Sequence, residues 1–191
     1  MKTRLTRLLR QRQKIYITDP KRVKAAVLLP LYNRDGHDYI VFIKRTEIVS
    51  EHKGQISFPG GSHEDTDKTM LDTALRESHE EIGLNPHDVE VLGELDDEVT
   101  TTSNFIMTPF VGMMPWPYRF VRNEIEVDEI IEVPMSALMK EGCLQPDTEI
   151  LNGRIVDSCT YNYEGRIIWG ATARILNRFM GIYLKSIDGD K

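Results

Sequence analysis

The 191-residue chain reads as a single-domain α/β protein, a mixed sheet sandwiched with helices. Three observations lead there. Short β-branched and aromatic runs recur along the chain, punctuated by Gly, Pro, Asn and Asp. One strongly patterned helical segment interrupts them after a Gly-Gly turn, and a second long helical segment closes the chain. Strands with helices between and after them require a sheet on which those helices pack.

Taken in order, Leu5, Leu8 and Leu9 sit at i, i+3 and i+4 among arginines and predict an amphipathic helix over residues 3–13. Its apolar stripe could pack on the domain or meet a membrane, RNA or a second subunit, so a homodimer stays open. Residues 1–20 are read as a basic arm and residues 21–188 as the domain. Val23 to Tyr32 and Tyr39 to Arg45 form strands of a hairpin around the turn signal Asn33-Arg-Asp-Gly36. A polar loop over 46–54 follows, then a short strand from Gln55 to Phe58 leading into Gly60-Gly61. The next helix runs from about Thr69 to Ile82, with Asp65, Thr66 or Asp67 as candidate N-caps. Gly83 is its C-cap, and Asn85-Pro86 prevents extension.

Val89 to Leu95 and Phe105 to Met113 read as strands, the second ended by Pro115 and Pro117. Ile130 to Val133 is a strand stopped by Pro134. A short helix around Ser136–Lys140, a hairpin across Cys159–Ile168 and a helix from about Ala171 to Leu184 complete the chain.

Composition narrows the function. Apolar content of 40% and charged content of 28% suit a soluble globular protein. There is no apolar run of membrane-spanning length and no hydrophobic signal core, and the two cysteines build no disulfide framework; a cytoplasmic protein is expected. Residues 1–14 hold six Lys or Arg and no acid, which leaves 18 basic and 30 acidic residues in the remainder, a net of −12. An acidic body speaks against nucleic acid as partner, yet it can bind an anionic diphosphate if metal ions supply positive charge locally.

The chemistry concentrates in one helix. Glu77, Glu80 and Glu81 lie at i, i+3 and i+4 and share an arc of about 100°. Leu71, Ala74, Leu75, Ser78 and Ile82 occupy another arc and read as the buried stripe. Like charges at this spacing destabilise a helix by a few tenths of a kcal/mol per pair. A hard divalent cation such as Mg²⁺ or Mn²⁺ would reverse that penalty; a solvated acidic face is the plainer alternative.

The run Arg76-Glu77-x-x-Glu80-Glu81-x-Gly83 after Gly60-Gly61 has a chance probability of roughly 10⁻⁶ per start. It resembles the signature of the Nudix hydrolases, with Asp67 at the acidic position six after the second glycine and a gap to Arg76 one residue longer than usual. That resemblance implies a Nudix-type α/β/α sandwich around a mixed β-sheet. It also implies hydrolysis of a small nucleoside diphosphate derivative. The longer gap and Ser78 are similar to the coenzyme A pyrophosphatase branch. So are the phrases His52-Lys-Gly-Gln-Ile-Ser-Phe-Pro-Gly-Gly61, Leu92-Gly-Glu-Leu-Asp96, Thr108-Pro-Phe-Val-Gly112 and Ile168-Trp-Gly-Ala-Thr-Ala173. In the branch's substrate motif, Arg45, Gly54 and Phe58 stand in place, and Ser50 replaces a second arginine.

By resemblance, Glu77, Glu80 and Glu81, with the carbonyl of Gly60, hold Mg²⁺ or Mn²⁺ at the diphosphate, and the products from coenzyme A would be adenosine 3′,5′-bisphosphate and 4′-phosphopantetheine. Arg76 orients Glu77, and Glu77 and Glu81 count among the catalytic residues. The base comes from a loop remote from the signature, where Glu124, Glu126 and Glu129 are candidates and Glu126 fits best by its distance from Pro134. Arg45, Lys53 and Gly61 are candidates for substrate contact; Arg45 either meets phosphate or forms an exposed pair. Phe58 reads as core rather than a stacking platform. Trp169 and Tyr161 either pack against the last helix or stack on a nucleobase. ADP-ribose, NADH or a dinucleoside polyphosphate is the alternative substrate. A non-catalytic ligand-binding module would have no reason to keep mutually repelling carboxylates.

Overall fold

The first two long strands diverge, and that divergence shapes the molecule. In the computed structural model, which describes residues 1–47, 54–151 and 153–188, β1 (Val23–Arg34) and β2 (His37–Arg45) form the expected hairpin. The turn is two residues long: Asp35 and Gly36 have φ of 52° and 82°, the left-handed geometry that matches strand twist, and Asn33 Oδ1 accepts from Gly36 N–H at 3.1 Å. β1 and β2 pair only from Leu31↔Ile40 to Arg34↔His37. Beyond that they separate, and two short strands fill the gap. β3 (Ile56–Ser57) pairs with the end of β2, and β4 (Gly60–Ser62) pairs with Ala25–Val27 of β1. Gly60-Gly61, expected as a turn, lies in a strand, because glycine's lack of a side chain lets β4 sit close to β1.

The remaining strands extend this sheet. β5 (Glu90–Glu94) and β6 (Glu98–Val99) pair antiparallel with β7 (Phe105–Met113), and β7 runs parallel to β1 from Val23↔Phe105 to Leu31↔Met113. β8 (Val127–Pro134) lies antiparallel along the outer edge of β2. It starts three residues before the expected Ile130. Asp128 and Glu129 break the apolar run, as suits an edge strand, while the ladder pairs Glu129 and Val127 and skips Asp128 at a register shift.

Helix α2 (Met70–Ile82) covers one face of the sheet through Ala74 and Ile82, packed with Ala26, Leu28, Val41 and Ile43. The other face is covered by α1 (Lys2–Gln11), α4 (Gly170–Ile187) and a second sheet, giving the α/β/α sandwich. Short helix α3 (Met135–Leu138) leads to that second sheet, which has the order β11-β10-β9. β10 (Arg154–Tyr163) and β11 (Arg166–Ile168) are the expected hairpin; β9 (Leu144–Leu151), Leu-Gln-Pro-Asp-Thr-Glu-Ile-Leu, goes unpredicted because Pro and Asp interrupt any strand pattern.

Among the candidate N-caps of α2, none serves. Thr69 does, with its hydroxyl accepting from Asp72 N–H at 3.2 Å. The C-cap is as expected: Gly83 has φ 68°, its N–H reaches His79 O, and Leu84 N–H reaches Ser78 O, a Schellman closure. The buried stripe is rotated from the expected one. Thr73, Ala74, Ser78, Glu81 and Ile82 are buried, while Leu71 and Leu75 are only half-buried.

The basic N-terminus is packed on the domain. Leu5 and Leu9 are 0% and 3% exposed within the main core. A side chain on Gly93 would press within 2.7 Å of Leu9, so β5 accommodates the helix by having none. The acidic body is also met here: Lys14 pairs with Glu94 at 2.7 Å and Asp97 at 3.1 Å, and Arg12 pairs with Asp96. No helix among the described residues is long and apolar enough to cross a membrane. Leu9→Ala is expected to destabilise the protein by about 2–4 kcal/mol, as for other buried leucines. Urea unfolding checks this, and a loss under about 1 kcal/mol would mean the helix is not part of the cooperative core.

Candidate active site

The gap between β1 and β2 sets the site. A register shift between Lys44 and Arg45 interrupts the β2–β8 ladder just before its last pair, Arg45↔Val127, and bulges of this kind re-aim side chains. Thr46 N–H then donates to Glu126 O at 3.0 Å, and its hydroxyl donates to Ile125 O at 2.7 Å. These bonds hold the turn that precedes β8 beside Arg45, with Glu126 Oε2 at 4.0 Å from Arg45 Nη2.

Gly60 and Gly61 are required for different reasons. Gly60 has φ 154°, and a Cβ there would meet Ala26 O at 2.3 Å. At Gly61 a Cβ would fall 2.4 Å from Glu77 Cδ, so the bare backbone is where the Glu77 carboxylate lies. Gly60 N–H donates to Glu81 Oε2 at 2.9 Å, and Arg45 Nη1 donates to Glu81 Oε1 at 2.9 Å. Arg45 Nε is buried and has no hydrogen-bond partner among the described residues.

The three glutamates occupy graded environments. Glu81 is 1% exposed, the half-buried Glu77 comes next, and Glu80 is exposed. Burial pushes the Glu81 carboxyl up to about 8, against the pull of Gly60 N–H and Arg45. Burial likewise raises Glu77; Arg76 opposes that rise, and Glu80 and Glu126 add to it.

Arg76 is a hub. Its Nε and Nη2 grip Asp67 in a two-pronged pair at 2.9 and 3.0 Å, and Nη2 also reaches Ser62 O at 3.0 Å. Nη1 meets Glu77 Oε1 at 2.9 Å and Glu80 Oε2 at 3.0 Å. Asp67 also accepts from Glu64 N–H and the Thr73 hydroxyl, and the Arg76 pair with these bonds holds its carboxyl far below the usual range. Sequence reasoning offered Asp67 as a helix cap; its true role was signalled by its place in the motif, six residues after Gly61. Among the described residues no three His, Cys, Asp or Glu side chains gather at metal-binding distance, because Arg76 and Arg45 each hold carboxylates to themselves.

A cavity of about 510 Å³ opens over this floor, lined by Arg45, Gly60, Gly61, Glu77 and Glu126. Glu80 and Glu81 do not line it, and Lys53 lies outside the described residues, as do Ser50 and His52. The walls come from Thr100–Thr102 before β7, which carried no expected role, from Phe105 and Met107 on the expected strand β7, and from Trp169 at the start of α4, expected either to pack or to stack. Arg174 of α4 anchors the first wall. It meets Glu98 Oε1 at 3.1 Å and Val99 O at 2.7 Å, while the Thr101 hydroxyl donates to Glu149 at 2.7 Å. Phe58 is core, stacked on Phe42 with ring centroids 4.7 Å apart. Tyr161 is buried, and its hydroxyl donates to Asn177 of α4 at 3.1 Å.

Comparison with known proteins adds to this geometry. The NUDIX domain profile matches residues 21–147. A protein described as an uncharacterized Nudix hydrolase NudL, from Enterobacter sp. (strain 638), is 34% identical over 155 residues, spanning 81% of this chain and 80% of the relative. Its counterpart from Pectobacterium atrosepticum is 34% identical over 158 residues, again 81% and 80%. Among solved structures, a MutT/nudix family protein from Enterococcus faecalis superimposes with a TM-score of 0.61 at 14% identity, covering 96% of this chain and 68% of that one. The NUDIX domain of Shewanella oneidensis NrtR, complexed with ADP ribose, gives 0.50 at 17% identity, covering 64% and 81%.

The Asp67–Arg76 pair makes a pH-dependent prediction. Its folded carboxyl is depressed below the unfolded value of 3.8, so its stabilisation is complete above that value and is lost as pH falls beneath it. Asp67→Asn is expected to cost about 2 kcal/mol at pH 7. The difference from wild type, followed by thermal melts, should shrink steadily below pH 4; a constant gap down to pH 2 would contradict the assignment.

Proposed function

Since the chain belongs to the Nudix hydrolase family, we propose that it hydrolyses the diphosphate bond of coenzyme A or an acyl-coenzyme A. Family membership makes it a pyrophosphohydrolase acting on a nucleoside diphosphate derivative, and hydrolases of this family generally need a divalent metal ion. The observation that carries the reading is the single cavity whose floor joins Glu77, Arg45, Glu126 and the two glycines. Its volume of about 510 Å³ is within the usual range for small-molecule sites.

The donor set fits a hard cation. Glu77, Glu80, Glu81 and the Gly60 carbonyl offer only oxygen, which suits Mg²⁺ or Mn²⁺. Burial has already raised the Glu77 and Glu81 carboxyls, so positive charge beside them would be favourable. When bound, such an ion neutralises diphosphate oxygens and acidifies a water. Arg45, which lines the cavity, binds a phosphate oxygen of the substrate through its guanidinium. Arg76 keeps Glu77 ionised and oriented against Gly61. Glu126, 40% exposed and beside Arg45, takes the proton from the attacking water. That water adds to one phosphorus and the other phosphate leaves. The enzyme acts in the cytoplasm.

The coenzyme A assignment rests on the four phrases similar to that branch. Ser50, where the branch has a second arginine, favours the second reading: another nucleoside diphosphate derivative, such as ADP-ribose, NADH or a dinucleoside polyphosphate.

A panel of these substrates with Mg²⁺ or Mn²⁺, read by product identity, separates the two. Release of adenosine 3′,5′-bisphosphate and 4′-phosphopantetheine is expected; turnover of ADP-ribose or dinucleotides with none of coenzyme A would sink the first reading. Glu81→Gln keeps the side chain's size but turns one acceptor into a donor beside Gly60 N–H and the Arg45 guanidinium, so its melt should fall although the fold is kept. Its turnover should drop at least roughly 10²-fold. Activity within about threefold of wild type would remove Glu81 from the chemistry.

A further inference from the structure

The proposed function leaves the organic half of the substrate without a partner. A nucleoside diphosphate carries a flat aromatic base tethered to the diphosphate through ribose, and a base taken from water stacks on an aromatic or guanidinium plane where one is free. We propose that Trp169 is that plane: the indole on which the substrate's nucleobase stacks.

Four observations carry the assignment. Trp169 lines the same cavity as Arg45 and Glu77, so a base there can be joined to a diphosphate on the floor. It is 39% exposed and makes no ring contact among the described residues, whereas the other tryptophan, Trp116, stacks on Tyr32 at 4.5 Å. Two other aromatic rings line the cavity: Phe58 is consumed by its stack on Phe42, and Phe105 of β7 is less exposed than Trp169. Finally, the backbone on both sides of Trp169 is fixed. Ile168, 1% exposed, is locked in β11 opposite Tyr161, and Gly170 takes φ 65° to turn the chain into α4, with open space where a Cβ would be. A ring left partly exposed at a cavity keeps a face on which a flat aromatic group can stack.

The inference rests on the proposed substrate class but goes further, since residue 169 lies outside the 21–147 segment that matches the family profile. It also places Thr100–Thr102, which line the same cavity, beside the stacked base.

The test uses the full chain with Trp116→Phe, leaving Trp169 as the sole tryptophan. Titration with ADP in the absence of metal should quench indole emission saturably, while inorganic pyrophosphate, which has no base, should displace ADP without quenching. In the otherwise wild-type enzyme, Trp169→Ala should raise KM roughly 10- to 100-fold with kcat changed by less than about threefold, and Trp169→Phe should recover most of that loss. ADP binding seen by calorimetry with unchanged emission, absence of ADP binding, or an unaltered KM in Trp169→Ala would each overturn the assignment. Quenching by ADP alongside a substrate panel without coenzyme A turnover would remove the proposed substrate and keep the platform. Turnover with a silent indole would do the reverse.

Discussion

Glu81 is withdrawn from water, and its two oxygens are met by Gly60 N–H and by the guanidinium of Arg45. Removing a carboxylate from solvent is unfavourable by several kcal/mol unless its partners are rigidly supplied. Here three separate elements supply that geometry: the end of β2, the glycine strand β4 and the last turn of α2. None of them can shift without orphaning a buried charge. Burial nevertheless outweighs those two partners and pushes the Glu81 carboxyl up to about 8.

That arrangement depends in turn on the splayed hairpin. Had β1 and β2 remained paired along their length, there would be no gap for β3 and β4, and no backbone N–H facing the helix. The gap is filled by residues chosen for absence of bulk: a Cβ at Gly60 would strike the β1 backbone, and one at Gly61 would displace the Glu77 carboxylate. Glycine at these positions is therefore a packing requirement between strand and strand, and between strand and helix, rather than a turn requirement.

The charge distribution finds its meaning in the same frame. Of the N-terminal basic residues, Lys14 and Arg12 are used by Glu94, Asp96 and Asp97 along the edge of the sheet. A second set of ion pairs, Arg174 and Arg178 with Glu98, ties α4 to the segment that carries Thr100–Thr102. Partly buried pairs of this kind add little net stability, but they specify position. The cavity walls are thus located by charge and its floor by backbone geometry.

Much of this was legible from residues alone. β7 is found at its predicted limits, α2 and its Gly83 cap nearly so, because each has a strong local period or a stop signal that acts within a turn. The Arg-Glu-x-x-Glu-Glu pattern likewise located the helix that carries the acids. Local periodicity is blind to what approaches from elsewhere in the chain. It placed Glu77, Glu80 and Glu81 as equals on one arc, whereas the tertiary structure buries Glu81, half-buries Glu77 and leaves Glu80 exposed. It offered Asp67 as a cap, whereas a long-range fit to Arg76 decided its use. It left Trp169 open between packing and stacking, and only the meeting of β11, α4 and the glycine strand across one cavity determined where that ring stands. Spacing along a chain determines which side chains can share a face; which of them keep water is decided by the elements folded against that face.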